Sequence, residues 1–285
     1  MNGTSGLQRA AWAPAARAAA AALAMSVFGA GGVAQAEQRL QLTNQAYEFE
    51  VRTTLFPNLT LASGEIRLSA GASDYNVEID AKALVAGTPI NWKGAFRTAG
   101  VLSEAAIRPK SFFRSSVRSP GRDDERRTDA RVDWRADGPP VTEITRVPAR
   151  VREDRVDVDV SQAGEVVDPL SFMVGMLERV VRTNGADCST LRKTWDGERL
   201  AVIETQTAET VPAARIDCKV IYKAILGLSA RNRWRVQEED TQRIIRFRKV
   251  GGLWQPEFLR IDATLIGGLR TTFTTTLTPI RRTGG

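Results

Sequence analysis

The residues able to do chemistry in this chain are few in kind. Its 285 residues include no histidine and only two cysteines, Cys188 and Cys218. A zinc site built from thiolate and imidazole therefore lacks ligands, and a Ser-His-Asp or Cys-His centre lacks its general base. Carboxylates are the main reactive groups left. Asp196 and Glu198, in Trp195-Asp196-Gly197-Glu198-Arg199, share a face wherever the backbone is extended. Paired acids of this kind serve glycosidases when about 5 to 9.5 Å separates the carboxyls. Asp-Gly is also what a tight turn prefers, and the turn is the weightier reading. Asp123-Asp124-Glu125 offers hard oxygen ligands to a cation, but Arg122, Arg126 and Arg127 flank it and balance its charge. No catalytic residue, metal-ligand set or cofactor is assigned, and the balance leans against an enzyme.

The meaning of the cysteines depends on compartment, and the N-terminus speaks to that. Arg9 and Arg17 are the only charges before Glu37. The run Ala18 to Val33 is almost wholly Ala, Leu, Met, Val, Phe and Gly, and it ends at Ala34-Gln35-Ala36. This is the pattern of a secretory signal peptide over residues 1–36, with cleavage between Ala36 and Glu37. The run is too Ala/Gly-rich and short for the roughly 20 strongly apolar residues of a spanning helix, so no stable membrane span is expected after processing. The expectation is a soluble periplasmic protein, residues 37–285, forming one domain. In an oxidising compartment an even cysteine count implies a disulfide. A redox-active pair is the alternative, but the wide spacing of Cys188 and Cys218 is unlike Cys-x-x-Cys.

The formal net charge is +7. Between Arg108 and Arg155 the arginines alternate with Asp123, Asp129, Asp133, Glu143, Glu153 and other acids rather than forming a block of one sign. Nucleic-acid surfaces segregate their basic charge, so nucleic acid is not an expected partner. An ion-paired, solvated face is the weightier reading, and contact with anionic lipid or polysaccharide the lesser one.

Elements that could position any site are mostly strands. Tyr47, Phe49 and Val51 alternate with Glu48, Glu50 and Arg52, the mark of a half-buried strand. Runs through Ile66 and Leu68, Tyr75 to Ile79, Ile90 to Phe96, Ile107 to Val117, and Thr128 to Trp134 continue it. Short polar turns such as Gly71-Ala72-Ser73-Asp74 join antiparallel neighbours. A break is expected at Thr98-Ala99-Gly100, and Pro148 to Gly164 reads as an edge strand or an exposed loop. Further strands run from Leu200, Arg215, Trp234, Ile245 and Leu253, and a Thr-rich last one, Leu269 to Leu277, follows a Gly267-Gly268 turn.

One helix interrupts the strands. Asp168 suits the N-cap and Pro169 the first helical position. Leu170, Met173, Val174, Leu177 and Val181 recur at helical spacing, Phe172, Met176 and Val180 widen the stripe, and Asn184-Gly185 stops it. The fold class is thus mainly β: a large curved antiparallel sheet or open half-barrel with one principal helix, about 169–183, packed on it. A stripe this wide belongs against a concave sheet. The helix either fills the core or lids an apolar cleft lined by Leu170, Phe172, Met173, Met176 and Leu177.

Asp168-Pro169-Leu170-Ser171-Phe172 before a helix, Cys188 ahead of an aromatic-Asp-Gly-x-Arg segment, and Cys218-x-Val-x-Tyr followed by Gly227 resemble the domain-of-unknown-function 3108 family of exported bacterial proteins. Trp254-Gln255-Pro256 before a strand resembles that family's C-terminal part. The resemblance implies an exported, mostly antiparallel β protein, and it brings no catalytic residues. Three functions follow in order of weight. The first is non-enzymatic binding of an apolar ligand or lipoprotein in the concave sheet, with lipid or an envelope protein as partner. The second is an envelope structural or assembly factor acting through an Arg-rich surface. The third is a carboxylate-dependent hydrolase.

Overall fold

Side-chain alternation, with short turns between strands, generates a single sheet of fourteen strands among the described residues. The structure, a computed structural model, describes residues 44–71, 73–84, 91–103, 107–149, 158–227, 241–264 and 270–280, within a compact unit spanning Gln38–Gly285. The first seven strands are β1 (Gln45–Thr53), β2 (Phe56–Ala70), β3 (Asp74–Leu84), β4 (Asn91–Leu102), β5 (Ile107–Arg118), β6 (Arg126–Asp133) and β7 (Val141–Val147). A 3-10 turn at Val160–Ala163 leads to the two-residue β8 (Val166–Val167) and to helix α1 (Pro169–Arg182). The second run is β9 (Thr190–Trp195), β10 (Leu200–Val211), β11 (Arg215–Leu226), β12 (Gln242–Val250), β13 (Leu253–Thr264) and β14 (Arg270–Pro279).

The spatial order is β7-β6-β5-β4-β3-β2-β1-β14-β13-β12-β11-β10-β9-β8. Two meanders thus meet where β1 pairs antiparallel with β14, from Tyr47 opposite Pro279 to Thr53 opposite Phe273. All pairs are antiparallel except β8 with β9, which are parallel and joined through α1. A parallel pair requires a crossover, and the helix supplies it. The sheet is open, with β7 and β8 at its edges.

The sheet curves around α1. One core cluster takes Leu68, Tyr75 and Val77 from the first meander, Val174, Met176, Leu177, Val180 and Val181 from the helix, and Ile216, Ile245, Phe247 and Trp254 from the second. A second cluster, Phe112, Val132, Val166, Trp195 and Leu200, lies where the two ends of the sheet approach each other. There the ends meet through side chains: Trp195 Nε1 donates to Thr142 Oγ1 at 2.9 Å, and Trp134 Nε1 to the Val166 carbonyl at 3.0 Å.

One expectation about elements changes, and one open alternative is settled over its described part. No break occurs at Thr98-Ala99-Gly100; β4 continues to Leu102 with a register shift between Ala99 and Gly100 against β5. Gly100 is needed there because a Cβ would overlap the Tyr75 ring and the Arg108 carbonyl. Glycine, which punctuates a sequence, here admits an aromatic ring against a continuous strand. In the charged segment, the stretch from Val158 to Gly164 contains a 3-10 turn rather than an edge strand. The processing site at Ala36 and Glu37, the turn at Gly267-Gly268 and the strand expected at Trp234 lie outside the described residues. Among the described residues no helix is long and apolar enough to cross a membrane.

Candidate functional site

The helix start is a buried polar network. Asp168 takes the N-cap conformation, and its Oδ1 accepts from the Leu170 and Ser171 N–H groups, each at 2.9 Å. Its Oδ2 accepts from the Ser171 hydroxyl and lies 2.9 Å from Thr98 Oγ1. The Tyr75 hydroxyl completes the chain, 2.5 Å from Ser171 Oγ. Burial pushes the Asp168 carboxyl up, against the Ser171, Thr98 and Leu170 donors that favour its charged form. Burial likewise raises the Tyr75 phenol. Every oxygen of this network is used within the core, so it fastens α1 to β3 and β4 and presents no free group to a substrate.

The inward face of α1 sits on filled core. Met176 and Val180 are fully buried, and Phe172 and Leu177 nearly so, while Leu170 is half-buried. Met173, expected over a cleft, is instead 37% exposed. At 100° per residue, Met173 falls between Val180 and Leu177, inside the buried stripe, so its exposure is set by tertiary packing and not by helical phase. The cavity of about 200 Å³ near α1 runs along its flank, not beneath it. Phe172, Ile107 and Val167 give it an apolar wall, and Glu178, Arg179, Arg182 and Arg192 give it a charged one. Arg179 and Glu178 are already engaged, the first with Asp187 and the second with Arg182.

Cys188 and Cys218 are bonded to each other, with Cα atoms 6.2 Å apart. Both are fully buried in the main core cluster. Cys188 belongs to the α1–β9 loop and Cys218 to β11, so the bond spans β10. There Thr207, paired with Cys218 in the ladder, accepts from the Cys188 N–H at 3.2 Å. The bond therefore ties the end of the helix to the second meander.

Asp196 and Glu198 do come together, in the β9–β10 turn. Asp196 Oδ1 accepts the backbone N–H groups of Glu198 (2.9 Å) and Arg199 (2.7 Å), which shapes the turn. Glu198, its side chain only 6% exposed, holds Arg114 of β5 and Arg146 of β7, the latter at 2.8 Å. Both acids are thus engaged in turn and ion-pair geometry and do not stand free for proton transfer. Gly227 supports the same turn from β11: at φ +84°, it lies where a Cβ would overlap the backbone of Glu198 and Arg199. In the Asp123–Glu125 turn, Asp124 accepts from Ser119 and Glu125 from the Gly121 N–H. Among the described residues no group of acids is arranged to hold a metal ion.

What sequence reasoning missed is the arginine arrangement that this turn organises. In the β5–β6 register Phe112 faces Val132, both in the core, so the same parity puts Arg114, Ser116 and Arg118 on the inner side of the sheet, with Arg114 and Ser116 partly buried and Arg118, at the strand end, exposed. Arg126 stands directly opposite Arg118, and Thr128 opposite Ser116. On β7, Arg146 stands opposite Thr128. The β9–β10 turn lies over this face, with Gly197 against Ala130, Val132 and Thr142. Its acids reach Arg114, Arg146 and Arg199 but not Arg118 or Arg126. Among the described residues, five arginines thus share this side of the sheet with two carboxylates that reach three of them, and a cavity of about 120 Å³ opens beyond the turn.

Comparison with known proteins returns little. No family model matches the chain, and no curated protein does. The fold is similar to a solved β-barrel-like protein of domain of unknown function DUF1849 from Brucella abortus, with a TM-score of 0.43 and 11% identity over 84% of this chain and 97% of that one. It is also similar to Aeromonas veronii immune modulator A, with a TM-score of 0.21 and 8% identity over 85% of this chain and 99% of that one.

Proposed function

We propose that this is an exported, non-enzymatic β protein that engages an anionic envelope partner through the arginine-lined inner face of β5, β6 and β7. The supporting observation is the charge imbalance there among the described residues: Arg114, Arg118, Arg126, Arg146 and Arg199 against Asp196 and Glu198. Such an imbalance in a recess draws anions, and its field fades with added salt. The resemblance to the domain-of-unknown-function 3108 family and the N-terminal secretion pattern support export, with residues 1–36 removed. The filled core beneath α1 makes an apolar ligand in the concave sheet the weaker reading.

The test is capture from envelope extracts by the processed protein, with R118E/R126E as the variant. A component retained at low salt, released at high salt and lost with the variant is expected. Capture that is indifferent to both salt and charge reversal would sink the reading. N-terminal sequencing of the protein recovered from cells checks processing after Ala36.

A further inference from the structure

We propose that the recess between Arg118, Arg126 and Arg146 is a binding site for a phosphate group, a doubly charged tetrahedral oxyanion. This rests on the arginine face being the working surface and names the chemistry it accepts.

The first reason is a cost that the protein carries without visible return. Arg118 and Arg126 are directly opposed across an antiparallel pair. Opposed side chains stand about 5 Å apart at Cβ, and like charges so placed destabilise the pair. Neither guanidinium has a carboxylate or other hydrogen-bond partner among the described residues. The acids of the adjoining turn do not serve them: Asp124 takes the Ser119 hydroxyl, and Glu125 the Gly121 N–H. A bound dianion would turn this repulsion into two charge-assisted contacts.

The second reason is the donor set around them. Ser116, Arg118, Arg126, Arg127, Thr128 and Arg146 line one cavity of about 120 Å³. Arg127 is tied to Asp129 at 2.8 Å, and Arg146 is held by Glu198 through Nη2 while its buried Nε has no partner. Trp92 Nε1 donates to Ser116 Oγ at 2.7 Å. That contact fills an acceptor site on the hydroxyl and leaves its proton for a ligand oxygen. Two guanidinium forks, hydroxyl donors on the next rung and a third arginine fixed by a carboxylate suit four tetrahedral oxygens. A carboxylate, planar with two oxygens, would leave donors unused.

Such a group can arrive free in solution or as a lipid headgroup, and the experiment separates the two. Calorimetry of the processed protein uses inorganic phosphate, and co-sedimentation uses phosphatidic acid vesicles against phosphatidylcholine vesicles. Melting is followed with and without phosphate, because a ligand of the native state raises Tm. Phosphate is expected to bind and to raise Tm, with affinity at least tenfold lower in R118Q/R126Q. R131Q, whose guanidinium pairs with Asp133 away from the recess, should behave as wild type. In phosphate-free buffer R118Q/R126Q should melt no lower than wild type, since it relieves a repulsion; a large fall in Tm would overturn the argument that the pair is unsatisfied.

Retention on phosphatidic acid vesicles as well as phosphate binding would identify the lipid headgroup; phosphate binding alone would identify a soluble ligand. Absence of both, or equal binding by R118Q/R126Q, overturns the site. If phosphate fails while R118E/R126E still loses its envelope partner, the proposed function stands without this site. If phosphate binds while partner capture ignores charge reversal, the site stands and the proposed function falls.

Discussion

Asp168 and Asp187 flank the same helix and respond to pH in opposite directions. Asp168 is charged at a cost, because burial raises its pKa above the unfolded value. With the folded pKa raised, its contribution is fully present below the unfolded value and is lost as pH rises through the folded one. Asp187 is the reverse. Partial burial would raise its pKa, but the Ser189 N–H and hydroxyl and the Arg179 guanidinium hold it well below the usual carboxylate range. Its contribution is present above the unfolded pKa, about 3.9, and is lost as pH falls below it. Melting curves across pH should show the difference. The wild type's advantage over D168N should grow from neutral pH down to about pH 4, and its advantage over D187N should shrink below that pH. Parallel curves for the two variants would contradict both assignments. D168A, which strands two buried N–H groups and two hydroxyls, should lose about 2 to 4 kcal/mol in chemical denaturation.

At the scale of elements, α1 is secured at both ends: by the Asp168 network at its start and by the Cys188–Cys218 bond just beyond its stop. The bond closes a separation of 30 residues, for which chain entropy predicts roughly 3 to 4 kcal/mol. C188A/C218A should therefore melt lower than wild type under oxidising conditions and match reduced wild type; an unchanged Tm would mean the bond is dispensable. The helix was readable from residues because capping is local: Asp168, Pro169 and Asn184-Gly185 act within one turn of the element they bound. Most strands were readable because a period of two survives in any sheet that buries one face. Misreadings arose where tertiary contact decides. Gly100 signals a break in the chain but accommodates Tyr75, and Met173 sits within the helical stripe yet stays partly exposed.

For the molecule as a whole, the informative property of the arginines is their position across strands, which is absent from their order along the chain. In sequence, Arg126, Arg127 and Arg131 alternate with acids and read as a solvated face. Arg127 and Arg131 do form that face, paired with Asp129 and Asp133. Arg118 and Arg126, exposed as well, differ in having no acid paired with them among the described residues: register sets them against each other, and register depends on where the Ser119–Glu125 turn reverses the chain. The site was therefore hidden while the fold was legible.

The pairing of β1 with β14 puts the last described strand into the middle of the sheet. Until it arrives, the first meander has β1 as a bare rim and the second has β13, and each exposes a row of unpaired backbone groups. A chain made from its N-terminus would thus pass through two unfinished halves, open to pairing with strangers or with copies of themselves. The Thr-rich β14 acts as a keystone: the sheet is whole only once that strand has paired with both β1 and β13.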